Sequence, residues 1–412
     1  MPSTTTAATV EALATSDTFE LFSDTESASY RSLVPALASD AVTHVNSGYQ
    51  SLMNLTIKKA LDVYLDQAAS HPAPKAIWTQ QAADAKAALA AHVHVPDDSL
   101  VYTRDTTEGL NLFQRSLHIK PGDNIVVLAG EHPNHAYGWL ALRDETGLEV
   151  RVVPDDTVIA ADADTFAPYV DDRTLCIGLS SVMFHSGQLN DVRSVSDRFR
   201  SRGIHVLVDL TQHIGLSDID LTSLNVSAAA FGAHKGLACP TGLGALYIQP
   251  GVLASLKPTP PIVGAGAVAN LRGDLVAQGD VQYHSTAQRY AHFNMCLMSA
   301  VALGASLRLL EDIGMSRIES HVRALGCELI KRLDTLSISV VGSRNAHQRS
   351  PHIYIVPLLH ADWASHFQES QVYVTHYRRG VRVSFGFYNS VQDVTSFVGA
   401  VEKGLAKGIP TK

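Results

Sequence analysis

Ile204–Ile248 read IHVLVDLTQHIGLSDIDLTSLNVSAAAFGAHKGLACPTGLGALYI, and the rest of the chain is ordered around this stretch. Ile204, Val206, Leu207 and Val208 form a short apolar run rich in β-branched residues, the pattern of a buried strand, and deliver Asp209 at its carboxyl end. A second apolar run, Ala228 to Phe231, leads to His234 and Lys235, then to Gly236 and the turn-forming Pro240, Thr241 and Gly242. Ligands of open α/β sheets bind beyond the carboxyl ends of strands. An acid and a lysine therefore leave two strands on the edge where a ligand would lie.

A carboxylate against a pyridine nitrogen keeps that nitrogen protonated, and a lysine amine forms a Schiff base with an aldehyde. Read singly, Asp209 is a turn cap and Lys235 a solvated loop lysine. The surrounding words carry more. VDLTQ followed by AHKGLACPTGLGALYI resembles the cofactor segment of the class V aminotransferase family, which includes cysteine desulfurases, selenocysteine lyases and isopenicillin N epimerase-like proteins. The resemblance implies pyridoxal 5'-phosphate (PLP) as cofactor and an α/β chain of PLP fold type I. That fold joins a large domain on a mostly parallel, seven-stranded-type sheet to a small C-terminal α/β domain. It further implies Lys235 as the Schiff-base lysine, Asp209 as the partner of the pyridine nitrogen, Gln212 near the ring oxygen and His234 near the phosphate.

The chain has 412 residues, 46% hydrophobic and 17% charged, which suits a globular protein with a sizeable core. Its formal charge of -8 disfavours a nucleic-acid or anionic-membrane surface, since either wants a basic face. Cys176, Cys239, Cys296 and Cys327 are widely separated, with no CxxC spacing, so neither a metal knuckle nor a disulfide framework is suggested. No membrane-length apolar run is present, and MPSTTTAATVEALATSD lacks the basic start and apolar centre of a signal peptide. The expected location is the cytoplasm.

Toward the N-terminus, residues 1 to about 30 read as a loose tail, with order starting near Tyr30. HVNSGYQSLMN, residues 44–54, is a β-like entry followed by a turn. A plain turn accounts for it as well as a substrate contact does; the resemblance favours Asn46 as the contact. Helical spacing covers Thr56–Ala69 and Thr79–His92. In VYTRDTTEGLNLFQRSL, a brief strand at Val101 and Tyr102 precedes Thr106, Thr107 and Glu108 at a helix start. Such a place serves as an ordinary N-cap or as a phosphate site. TRDTTEGLN resembles the family's phosphate phrase, which implies Thr106 and Thr107 as phosphate contacts. A strand Ile125–Leu128 ends in Glu131 and His132. By the same resemblance His132 stacks on the cofactor ring near the reacting carbon, and His135 is given no role.

LEVRVV and LCIGLSSVMFHSG continue the strand and helix alternation of a mostly parallel sheet. Many desulfurases carry Ser-Asn where this chain has Met183 and Phe184, and a phenylalanine cannot hydrogen-bond the phenolic oxygen there. Asp191–Arg202 reads as helix. The loop from Lys257 to Gly279 is long enough to be functional or mobile. QRYAHFN, residues 288–294, stands in place of a family phrase whose polar residue reaches the partner subunit's phosphate; Arg289 and Asn294 survive, which assigns Asn294 to that contact.

Met295–Leu310 and Met315–Leu333 show amphipathic helical spacing, and the C-terminal part alternates strands SISVVG, HIYIVPL and VRVSFG with helices near Trp363 and Val394. VRVSFGFYNSVQDV resembles the family's closing motif, which implies Arg382 as the clamp of a substrate carboxylate. The expected division is 1–45 as N-terminal tail and segment packing on the small domain, 46–300 as the large PLP-binding domain and 301–412 as the small one. The resemblance implies a homodimer with its site at the interface. The expected enzyme acts on an α-amino acid through external aldimine and quinonoid, with Lys235 or His132 moving the α-carbon proton. No cysteine follows Cys327, and Val374, Thr375 and His376 stand where some relatives carry the sulfur-accepting cysteine. A lyase, replacement or carbon-carbon bond-forming reaction is therefore expected ahead of epimerisation or transamination. A persulfide desulfurase is disfavoured, and a non-catalytic PLP-fold binding protein ranks last.

Overall fold

Seven strands form the larger sheet: β2 (Leu100–Thr103), β3 (Asn124–Leu128), β4 (Glu149–Val153), β5 (Thr174–Ser180), β6 (His205–Asp209), β7 (Ala228–Gly232) and β8 (Gly244–Ile248). A further pair, β1 (Thr43–His44) with β10 (Val372–Tyr373), and a smaller sheet of β9 (Ile353–Val356), β11 (Thr375–Tyr377) and β12 (Gly380–Ser384) complete the strands among the described residues. The computed structural model describes residues 19–39, 41–154, 160–274 and 279–412.

The larger sheet has the order β2-β8-β7-β6-β5-β3-β4, parallel from β7 through β4, with β8 antiparallel to both its neighbours. Alternate residues of its strands enter different hydrophobic clusters. Val126, Val206 and Val208 pack with Val192, Val195, Phe199 and Leu303. Ile125, Val127 and Leu207 pack with Leu110, Phe113 and Trp139. Both faces are thus covered by helices, which is why the strands read as unbroken apolar runs rather than as alternating ones. Only the edge strand β4 departs from this, with Glu149 exposed at its start.

The order reverses at β3, with β4 on one side and β5 on the other, and connections at such a reversal leave a crevice beyond the strand ends. Ser180 and Asp209 are paired in register at the ends of β5 and β6. Lys235 follows the end of β7 by three residues. Two glycines let the β6 and β7 connections lie on one another. Gly215 has a φ of +77°, and a Cβ on it would fall 2.5 Å from the Gly236 carbonyl carbon. A Cβ on Gly236 would fall 2.1 Å from the Ile214 oxygen. The segments carrying Asp209 and Lys235 therefore approach backbone to backbone.

The smaller sheet is antiparallel, in the order β11-β12-β9. Helices Met315–Thr335, Asp362–Glu369 and Val391–Ala406 share its core, in which Trp363, Phe397 and Val381 are fully buried. Asn46 bridges in parallel to Ser384, so the chain entering the larger sheet first touches the smaller one.

Two expectations need correction. Order begins before Tyr30: Asp24–Ser32 is a helix whose start is closed by Ser23 and Glu26 in a reciprocal capping box. Arg31 on that helix donates to both carboxylate oxygens of Asp393, at 3.1 and 3.0 Å. The segment SISVVG is not a strand. Val341 donates one N–H to the Ile355 carbonyl, while the Val341 and Ser343 carbonyls accept from the buried Arg349 guanidinium, which takes the ladder's acceptors away. Within the loop 257–279 a short 3-10 turn, Ala265–Ala267, is formed, and residues 275–278 lie outside the described residues.

Candidate active site

One cleft beyond the strand ends is lined by Thr106, His132, Asp209, Gln212, His234 and Lys235, together with Asn134, Ser180, Val182, Phe184 and Thr211. These come from the ends of five strands, β2, β3, β5, β6 and β7. Thr106 is the first residue of helix Thr106–Ser116, capped by the Asp105 side chain, so the free N–H groups and positive dipole end of that helix lie at the cleft. Its hydroxyl is 2.8 Å from that of Thr211. Thr107 shares the first turn but does not line the cleft; its carbonyl accepts from Asn111.

Asp209 is 7% exposed, and its Oδ1 accepts the Thr211 N–H at 2.8 Å. Burial pushes the Lys235 amine down to about 8, an effect that the Asp209 charge opposes and the Arg382 charge adds to. Burial likewise lowers His132, with Asp209 acting against it and Lys235 with it, and the imidazole is neutral at neutral pH. His234 is lowered by burial first and by Lys235 second. The cleft therefore holds a carboxylate, an amine with an accessible free-base form and two neutral imidazoles.

Arg382, on the smaller sheet, stands behind Phe184 of the cleft lining. Its Nη1 donates to the Phe184 carbonyl at 2.9 Å, while Nε and Nη2, buried in a residue 1% exposed, have no hydrogen-bond partner. Asn46 lies on the adjoining segment, with its side-chain oxygen accepting from the Thr375 hydroxyl at 2.7 Å. Asn294 does not join the cleft of its own chain; its Oδ1 accepts from Lys75 at 3.0 Å. Gln212 donates to the Gly48 carbonyl at 2.8 Å and keeps a buried, unpartnered Oε1.

Sequence reasoning missed three contributors. Thr211 closes a turn on Asp209, a pattern legible in the D-x-T spacing. Ser180 and Glu131 form a buried pair, with the Ser180 N–H and hydroxyl donating to the Glu131 carboxylate at 2.8 and 2.5 Å. Burial raises the Glu131 carboxyl. The pair ties the end of β5 to the β3 connection that carries His132, and only sheet register brings them together. Tyr377 is the third, lying over Arg382 with the guanidinium carbon 4.9 Å from its ring centroid.

The donor set suits PLP. An anion-binding helix start faces the cleft beside two hydroxyls, and a Cβ at Gly232 would come within 3.1 Å of the Thr106 hydroxyl, so the absent side chain leaves that cradle open. A buried acid and a lysine with a free-base form lie across from it, and Arg382 and Gln212 present unpartnered buried polar atoms. Because only the neutral amine attacks an aldehyde, capture of PLP by cofactor-free protein should accelerate with pH and level off above about 8. Stopped-flow absorbance from pH 6 to roughly pH 11 checks this; a rate still climbing past pH 10, the range of a solvated lysine, contradicts it.

The family described as Aminotransferase class-V matches residues 56–397. An uncharacterized aminotransferase of Schizosaccharomyces pombe is 46% identical over 383 residues, covering 92% of this chain and 96% of that protein. Among solved structures, the apo cysteine desulfurase from Thermococcus onnurineus NA1 superposes with a TM-score of 0.82 at 24% identity, covering 92% of this chain and 98% of that one. A lysine mutant of C-DES, with glycine covalently linked to its PLP cofactor, gives a TM-score of 0.81 at 21% identity, covering 90% and 98%. The fold is that of PLP fold type I, and the chain belongs to the class V aminotransferase family of PLP-dependent enzymes.

Proposed function

We propose that this enzyme acts on an α-amino acid and catalyses a lyase, replacement or carbon-carbon bond-forming reaction rather than persulfide desulfuration. The observation that carries the amino-acid reading is Arg382. An unsatisfied buried donor costs about 1–3 kcal/mol and more when charged, and this guanidinium keeps one edge unpaired beside the cleft. A substrate carboxylate supplies the planar, two-pronged partner that this edge lacks.

In this reading Asp209 faces the pyridine nitrogen, Thr106 and His234 hold the phosphate together with the helix start, to which Thr107 contributes through the first turn, and Gln212 serves the ring oxygen. When bound, PLP supplies an electron sink for charge developing at the substrate's α carbon. Arg382 orients the amino acid, assisted by Asn46. Lys235 takes up or returns the α-carbon proton, and neutral His132 stands as the second proton-handling group. Epimerisation is the second reading, supported by this pair of groups with lowered pKa in one cleft. Transamination ranks with it.

Sulfur chemistry of the desulfurase kind needs a thiol at the site. Cys176 and Cys239 are buried, Cys296 and Cys327 are exposed, and none lines the cleft. Val374 lies between β10 and β11, and Thr375 and His376 begin β11, where they pair in register with Arg382 and Val381. A division into 1–45, 46–300 and 301–412 is supported by the separate core around the smaller sheet. Phe22, Val34 and Leu37 of the first segment nevertheless pack into the larger core. We further propose a cytoplasmic homodimer in which Asn294 reaches the partner's phosphate. Exposed Tyr49, Met53, Leu55 and, beside Asn294, Phe293 support a covered face there. Among the described residues no helix is long and apolar enough to cross a membrane.

Replacing Arg382 by Lys should raise KM by roughly 10–100-fold, the cost of a lost two-pronged charged contact, while capture of PLP by Lys235 stays unchanged. Steady-state kinetics on the amino acid found by a mass-spectrometric product screen measures it; an unaltered KM removes the clamp. Changing each of the four cysteines to Ala should leave turnover largely intact. A folded single variant that loses sulfur release from L-cysteine restores the desulfurase. Sedimentation of the holoenzyme should give twice the chain mass, and a monomer holding full cofactor contradicts the dimer.

A further inference from the structure

Phe184 stands edge-on to His132, which shares the cleft lining, at 4.9 Å between centroids, and to Tyr377 of the smaller sheet at 5.5 Å. Its own carbonyl is the acceptor that fixes Arg382 Nη1. Tyr377 covers the same guanidinium from the ring side. One residue thus anchors the arginine through its backbone and builds an aromatic wall with its side chain, and a second completes the wall. Tyr377 is held in place by the hairpin joining β11 to β12, in which it pairs in register with Gly380. Because Phe184 and Tyr377 both contact the arginine, a carboxylate gripped by Nε and Nη2 would bring the remainder of a small amino acid toward these rings.

Charge in the cleft points the same way. The lining of this chain contains a single carboxylate, Asp209, and that group serves the cofactor in the reading above. A cationic side chain therefore meets no remaining acid there. A second carboxylate meets an arginine whose free edge is already filled. Burial is the leading cause of the lowered Lys235 and His132, so any further charge would enter a poorly hydrated space.

We propose that Phe184 and Tyr377 are specificity-determining residues, and that the site takes an α-amino acid with an uncharged apolar side chain, aliphatic, thioether or aromatic, in preference to an acidic or basic one. The inference rests on the amino-acid reading of Arg382. The test uses the holoenzyme and four probes, L-methionine, L-phenylalanine, L-glutamate and L-lysine, with apparent Kd read from the equilibrium change in cofactor absorbance.

Methionine and phenylalanine should bind at least about tenfold more tightly than glutamate and lysine, the order of discrimination that a single apolar contact supplies. Phe184→Asn and Tyr377→Ala should each erase most of that preference, whereas Tyr377→Phe, which keeps the ring, should preserve it. Tyr377→Leu replaces the Ala variant if the hairpin fails to fold, since it fills similar space without a ring. Equal binding of all four probes to the wild type, or a preference untouched in both ring-removing variants, overturns the inference alone. No absorbance response to any of them overturns the amino-acid reading and the inference together.

Discussion

The free energy of one amine in a poorly hydrated cleft is the constraint on which the site depends. Lys235 would be a fully charged, solvated lysine if its loop hung free. Burial favours its neutral form, and Asp209 on the neighbouring strand end limits how far that goes, leaving the amine near 8 rather than fully discharged. This balance exists only because the connections after β6 and β7 touch backbone to backbone at Gly215 and Gly236. A side chain at either glycine would push the acid and the amine apart before affecting any contact with a ligand.

The same economy of contacts joins the two sheets. The segment after β1 passes from the smaller sheet to the larger one, bridging Ser384 through Asn46 and accepting the Gln212 amide at the Gly48 carbonyl. From the other side Arg382 leaves β12 and donates to Phe184 just beyond β5. Gln212 and Arg382 are therefore each held by a hydrogen bond that ties the smaller sheet or its adjoining segment to the larger one. A shift of the smaller sheet would alter the arginine's position and the seat of Gln212 together, a coupling that suits a site where orientation of the substrate must precede proton movement.

Glu131 and Ser180 illustrate a buried polar pair that belongs to the scaffold yet sets the chemistry. A buried carboxylic group without partners would be costly, and here the Ser180 N–H and hydroxyl both satisfy it. Their bond holds the β3 connection, and hence His132, against the end of the strand whose final residue is paired with Asp209.

The parallel sheet, the strand-end acid and lysine, and the helix start at Thr106 were legible in the sequence because each depends on local pattern: buried strands read as apolar runs, and helix starts carry caps. The capping box at Ser23 and Glu26 is equally local, an S-x-x-E spacing inside a segment whose composition reads as a loose tail. Asn294 illustrates the opposite limit: the resemblance of a short phrase implies a contact with the partner subunit's phosphate, which no local pattern carries, and within its own chain the side chain bonds Lys75. SISVVG has the residues of a strand, but its Val341 carbonyl, like that of the following Ser343, is taken by Arg349, a partner that apolar alternation cannot reveal. What the sequence by itself determined was which residue types stand at the ends of which strands. Tertiary structure alone decided that Arg382 is buried with one edge free, that Tyr377 covers it and that Phe184 holds it. The Phe184 contact joins residues 198 positions apart, and chain entropy keeps such a meeting out of reach of any local pattern, while Tyr377 meets Arg382 across the hairpin of β11 and β12.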